Sequence, residues 1–310
     1  MPYTSALWSN ATRLYQPYEV LVESWDHLVE EINRLSGAYR AEDFVWRGQV
    51  DARWGLKSSL YRTIAEQLGH VPSEADLVQA EKKLLELARI QWRLDGIPAL
   101  QLLARLQHVG APTRLIDATL NPLIATWFAV ADGKDAAGNS TDALDGRLLA
   151  FTVKETIQLN SLWNANRPRW HLGSANRPTD WGTGDGRLVW RPPALHTRIP
   201  AQSAVFILDG VPAEGSASPR KHPDDASRWT VEETREVASI PVRFARIRLE
   251  SGPMSKGYVF TYRISAAAKR QIRYQLEARF GYSFATIYAD IEGLAEYLRG
   301  APEMLVRRGN

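Results

Sequence analysis

With 45% hydrophobic and 24% charged positions over 310 residues, the chain has the composition of a folded protein with a sizeable core, which excludes a disordered one. It has no cysteine, which excludes disulfides, thiolate metal sites and thiol nucleophiles and fits a reducing compartment. The net charge of +3 is too mild to require a nucleic-acid partner, although residues 241–310 carry twelve Lys or Arg against six Asp or Glu.

The first fifteen residues, MPYTSALWSNATRLY, lack the charged and apolar regions of a signal peptide and read as a loose arm. No apolar run reaches the roughly 18–20 residues that span a bilayer. The expectation is a cytoplasmic protein without membrane association. Trp25–Leu35 has helical apolar spacing behind Ser24 as N-cap. Phe44–Gln49 reads as a short strand of bulky residues in which Arg47 is followed by Gly48, a residue that permits close backbone approach. Arg47 suits either a bound anion or a structural ion pair. Trp54–Arg62 reads as an irregular segment packed beside that strand, with Arg62 its second conspicuous arginine. Residues 73–93 form the clearest helix, with Ser73 as cap and Glu74 and Asp76 complementing the dipole.

Pro98 opens a helix that Gly110-Ala111-Pro112 ends. Thr113–Asp117 reads as a buried strand, and Thr119 as the cap of a helix from Pro122 to about Val130. Polar residues lie between two apolar runs here (Gln107, His108, Thr113, Arg114, Asp117, Thr119, Asn121). Such groups must be paired or functional, because burying them unpaired costs several kcal/mol. Arg114 and Asp117 could form an ion-pair network with Arg47, and His108 could cap backbone carbonyls.

Residues 132–146 are a polar loop, and Arg147–Val153 reads as a strand. Residues 160–194 have little periodicity and read as a long loop. Ala204–Leu208 is a strong strand, residues 210–236 are loop-like, and Ile240–Leu249 alternates as a half-buried strand. Tyr258–Ile264 is a strand. Ser265 caps a helix from Ala266 to about Phe280, ended by Gly281, and Ile287–Leu298 makes a last short helix. Eleven tryptophans, several beside arginines, could stack on an aromatic ligand or fill the core. There is no phosphate-binding GxxxxGK[ST] loop, no GxSxG and no HExxH, and the six scattered histidines give no expectation of a metal site.

Three blocks resemble the FRG domain family, named for a Phe/Tyr-Arg-Gly motif. The first is Trp46-Arg47-Gly48-Gln49 with Trp54, Leu56 and Ser58–Arg62. The second runs from Gln107 to Thr119 and on through Asn121-Pro122 to Phe128-Ala129. The third is Arg198–Phe206, and Ile287–Leu298 is similar to the family's closing segment. Val109 and Ala118 stand where the family usually has aromatics, which implies a less aromatic pocket wall. The resemblance places the FRG-like domain at residues 41–300, with a helical insertion at 60–100, an N-terminal arm and helix at 1–40 and a tail at 301–310.

The motif order is similar to that of ADP-ribosyltransferases. The resemblance implies an α+β fold with a mixed, mainly antiparallel sheet and surrounding helices. It implies NAD as substrate, cleaved at the nicotinamide ribose, with ADP-ribose passed to a nucleic acid or protein. A toxin or antiviral effector with a cognate inhibitor would fit. In those enzymes an early strand ends in an arginine or histidine, a second strand carries small hydroxyl residues, and a late strand carries a glutamate; by resemblance Arg47 takes the first role, Asp117 and Thr119 the second, and Gln202 falls near the third. Arg47, Arg62 and Arg114 could hold the pyrophosphate, and Thr119, Asp117 or Gln202 the ribose hydroxyls. Asp117 is the carboxylate at hand, His108 could act as acid or base, and Gln202 cannot act as a base. The alternative is a non-catalytic nucleotide or nucleic-acid binding module.

Overall fold

A computed structural model describes residues 11–133, 139–153, 155–157, 165–171, 188–213, 227–247, 257–300 and 305–306. The strands are β1 (Val20–Val22), β2 (Phe44–Gln49), β3 (Ile116–Thr119), β4 (Gly146–Thr152), β5 (Glu155–Ile157), β6 (Leu188–Trp190), β7 (Ala204–Leu208) and β8 (Val259–Ile264). They form one eight-stranded sheet in the order β1-β8-β4-β2-β3-β7-β6-β5. The pairs β1–β8 and β5–β6 are parallel and the other neighbours antiparallel. The class is therefore α+β with a mixed sheet, as the sequence predicts.

The helices are α1 (Trp25–Ala38), α2 (Ser59–Leu68), α3 (Glu74–Ile90), α4 (Ala99–His108), α5 (Pro122–Val130), the short α6 (Arg198–Ala201), α7 (Val231–Val237), α8 (Ala266–Phe280), the short α9 (Phe284–Ile287) and α10 (Ile291–Gly300). Alternation along the strands divides the core. Trp46, Leu148, Ala150, Phe260 and Tyr262 pack on one face beneath α1, α5 and α8. Val45, Leu149, Phe151, Ala118 and Val205 face the other way, toward Trp229, Val237 and Phe244. Helices α3 and α4 bury a third cluster with Trp170, Trp190 and Phe206. Among the described residues no helix is long and apolar enough to cross a membrane.

Helix α5 is apolar almost all round, as a helix buried against a sheet must be. It approaches closely because two strands present glycine beneath it. A Cβ on Gly48 would lie 1.8 Å from the Ala125 carbonyl oxygen, and one on Gly146 would lie 2.2 Å from that of Ala129. The close approach expected of Gly48 is thus an approach to this helix.

Several local expectations need correction. Residues 11–15 are helical rather than a loose arm, with Ala11, Leu14 and Tyr15 buried and the Tyr15 ring 4.0 Å beneath the Arg147 guanidinium. Residues 1–10 lie outside the described residues. Half of the segment read as irregular at Trp54–Arg62 belongs to α2, which Ser58 caps and Gly69 ends in a left-handed conformation. Strand β3 starts at Ile116 rather than Thr113, because Thr113 is bound to α2: its carbonyl accepts from Leu60 N and its amide donates to Ser59 Oγ. The cap of α5 is Asn121, whose side chain accepts from Leu123 N, and Thr119 accepts from Asn121 N one step earlier. Asn121→Ala is expected to lower stability by about 1–2 kcal/mol in urea denaturation, since Asn121 also donates to Tyr282 Oη at 2.7 Å.

Helix α7, with its Thr230 capping box, occupies the end of the segment read as loop at 210–236. Of the strand expected at Ile240–Leu249, the described residues 240–247 form no ladder strand. β8 is paired by β4 along 259–264 and by β1 only at 262–264, and the remaining edge meets this segment in one bridge at Phe244↔Val259. Residues 248–250 lie outside the described residues, as does most of the long segment at 160–194, which contributes β6 and a 3-10 turn at Arg169–His171. The closing helix is split into α9 and α10 at Tyr288–Asp290.

Candidate functional site

The central strands part company, and the site lies where they do. β2 and β3 pair only at Trp46↔Thr119, so residues 47–49 and 116–118 diverge. Arg47 fills the gap. Its Nη1 donates to the Asp117 carbonyl at 2.6 Å, satisfying an acceptor that a ladder neighbour would otherwise take. The same nitrogen lies 3.9 Å from the Asp117 carboxylate, and Arg47 Nε is buried with no hydrogen-bond partner. Burial pulls the Arg47 guanidinium below its ordinary range, with Asp117 opposing that and Arg62 adding to it.

A cavity of 350 Å³ opens at this split, with Trp46, Arg47, Asp117, Thr119, Gln202 and Tyr288 among its walls. A smaller recess of 170 Å³ adjoins it, lined by Arg47, Lys57, Arg62 and the start of α2. The two share Arg47, Gln107 and Asp117. One part of the site therefore combines aromatic and apolar walls with as many polar and charged groups, and the other is mainly cationic.

Gln107 sets the boundary. Its Nε2 donates to Asp117 Oδ1 at 2.5 Å, and its Oε1 accepts from Thr113 Oγ1. That chain fixes which way the amide faces and holds a carboxylate whose side chain is 69% exposed. Thr119 is buried, with its hydroxyl donating to the Gln202 carbonyl at 2.7 Å. Gln202 follows α6 and directs Nε2 to the Ile287 carbonyl at 3.1 Å. Arg198 clamps the same C-terminal segment through Asp290 at 2.5 and 2.8 Å, with its guanidinium 4.8 Å from the Tyr288 ring.

His108 ends α4 and stacks on His196, ring centroids 3.7 Å apart. Burial, with His108 beside it, pushes the His196 imidazole below its ordinary value. His108, Asp290 and Glu292 present ligand atoms within 4.8 Å of one another, but both Asp290 oxygens are engaged by Arg198. A cation there would compete with that arginine for Asp290.

Of the residues singled out in the sequence, Arg47, His108, Asp117, Thr119 and Gln202 meet at the larger cavity and Arg62 at the recess. Arg114 lines neither. It is buried between Glu74 and Glu81 of α3, at 2.9 and 2.8 Å, so its partners are not Arg47 or Asp117. Glu81 also accepts from Trp170 Nε1 and contacts His171, and Glu74 accepts from Val211 N. Burial pushes the Glu81 carboxyl up, but Arg114 and His171 outweigh it and hold the group below its ordinary value.

Sequence reasoning did not single out His196, Arg198, Tyr288 or Lys57, which are brought in by tertiary contacts. A hint for Arg198 was its place at the head of the third block. Part of the basic charge of the C-terminal third is consumed internally, by Arg263 on Glu19 and Asp145 and by Arg273 on Asp142.

Residues 42–138 match the family model of the FRG domain. This region is an FRG domain. The match takes in the first two blocks, so it holds the Arg47 strand, the Gln107–Thr119 stretch and α5. No curated protein and no solved structure matches the chain. The FRG domain supplies the central strands and the floor of the site, and residues beyond 138, namely Arg198–Phe206 and Tyr288, close its other side.

Proposed function

We propose that this site binds NAD and cleaves it at the nicotinamide ribose, passing ADP-ribose to a nucleic acid or protein. The observation that carries the reading is that β2, β3 and β7 are successive neighbours in the sheet and bring Arg47, Asp117, Thr119 and Gln202 to one cavity beside a cationic recess. A dinucleotide needs both parts: an aromatic and apolar slot for a base or nicotinamide, and a cationic one for pyrophosphate. NAD supplies the scissile bond, and its cleavage builds positive charge on the ribose. Asp117 is the carboxylate that faces this space, and its charge would stabilise that change. A toxin or antiviral effector restrained by a cognate inhibitor belongs to the same reading.

A second reading, a nucleotide-binding module without catalysis, is favoured by Gln202, which is neutral and has its amide nitrogen engaged by Ile287. The two separate in one experiment. The full chain is incubated with NAD and cell extract, nicotinamide is measured, and NAD binding is followed by calorimetry. Catalysis predicts release that Asp117→Asn lowers by about 100-fold or more while NAD still binds. Binding with no release in any extract selects the module, and no NAD binding removes both readings as they concern NAD.

A further inference from the structure

The 170 Å³ recess gathers Arg47, Lys57 and Arg62, with the carboxylate of Asp117 at its rim. These cations are poorly neutralised by the protein. Arg47 Nε has no partner, and Arg62 spends Nη1 on the Lys57 carbonyl at 2.8 Å. Among the described residues no carboxylate stands within ion-pair distance of Lys57 or Arg62. Holding like charges together in a small recess costs energy that a bound anion returns.

Helix α2 begins at the recess, and two amides of its first turn are already engaged: Leu60 N donates to the Thr113 carbonyl and Tyr61 N to Ser58 Oγ. The positive end of the helix adds to the potential, and the side chains supply the main contacts. A guanidinium fork matches two oxygens of a tetrahedral oxyanion, and a compact ammonium matches a third.

We propose that this recess is a phosphoryl subsite in which Lys57, with Arg62 and Arg47, holds a phosphate or pyrophosphate group. The subsite adds Lys57 to the nucleotide reading of the neighbouring cavity and rests on that reading only for the nucleotide, not for the anion. Lys57 also makes the subsite sensitive to pH. Burial pulls its ammonium down to about 8, with Glu236 opposing and Arg62 reinforcing the shift. The groups facing it are Arg62 from α2, Glu236 from α7, and Arg47 and Asp117 across the recess. Lys57 therefore loses its charge as the pH rises through about 8.

The test is calorimetric titration of inorganic pyrophosphate into the full chain at pH 7 and pH 9. Lys57→Gln is expected to weaken binding relative to the unaltered chain by about tenfold or more at pH 7 and by much less at pH 9, a comparison at each pH in which the ionisation of pyrophosphate itself cancels. Lys57→Arg, which keeps its charge, is expected to bind more tightly than the unaltered chain at pH 9. No binding to the unaltered chain overturns the proposal, as does unchanged affinity in a folded Lys57→Gln protein or a loss that is equal at the two pH values. NAD provides the separating arm. Pyrophosphate bound through Lys57 with no nicotinamide released defeats the catalytic reading and upholds the subsite. Nicotinamide release that Lys57→Gln leaves unchanged at limiting NAD defeats the subsite and upholds the catalytic reading.

Discussion

Gly48→Ala is expected to lower the free energy of unfolding by about 3 kcal/mol or more, at the upper end of what overpacking costs. The new methyl would lie 1.8 Å from the Ala125 carbonyl oxygen and 2.7 Å from the Ala129 amide nitrogen. Neither neighbour is a side chain that can swing away. Both are backbone atoms of a buried helix, and Gly48 itself lies on a strand that β4 pairs along its whole length. The chain can relieve the clash only by moving α5 off the sheet, which would carry Asn121 and its bond to Tyr282 with it. The same substitution at Gly37, exposed inside α1 with nothing within 4 Å of the added carbon, is expected to raise stability by about 0.5–1 kcal/mol. Urea denaturation of the two variants checks both signs. A Gly48→Ala protein within 1 kcal/mol of the parent would show that the close approach is not what the glycine serves.

Arg114→Met should be at least as damaging, at about 3–5 kcal/mol, because it leaves the Glu74 and Glu81 carboxylates buried without their cation. The loss would come from stranded charge rather than from a missing attraction, and a companion variant tests this. Adding Glu74→Gln and Glu81→Gln to Arg114→Met should recover stability, since neutral amides are far less costly to bury. If the triple variant unfolds at lower urea than Arg114→Met alone, the buried-charge account is wrong. Anion binding at the neighbouring recess should survive in whatever fraction of Arg114→Met remains folded, because Arg114 lines neither cavity.

The two arginines show what was legible in the sequence. Both stand near polar motif residues, and both could have been ligand-binding or structural. The choice depended on partners far along the chain: Glu74 and Glu81 for Arg114, and the Asp117 carbonyl for Arg47. Where every cue is local, sequence and structure agree closely. Helix α8 runs from Ala266 to Phe280 between Ser265 and Gly281, because its cap and its stop are written beside it. Ile240–Leu249 fails for the opposite reason. Its alternation is real, since Val242 and Phe244 are buried, but alternation shows which face is apolar and not whether a strand edge is free to pair. Residues such as Tyr288 and Lys57 give no local sign, because their significance lies in which cavity they border.

The wall made by the C-terminal segment also bears on how the molecule comes into being. Arg198, Thr197 and Gln202 each reach forward 85 to 92 positions to Ile287, Ala289 and Asp290, and β1 waits for β8 as its partner in the sheet. A ribosome delivers Arg47, Asp117 and Thr119 long before it delivers Tyr288. During that interval the nascent chain carries the polar floor of the site without its far side. The site is thus complete only once Tyr288 has been made, and the non-local pairing that completes it is of the kind that folds slowly.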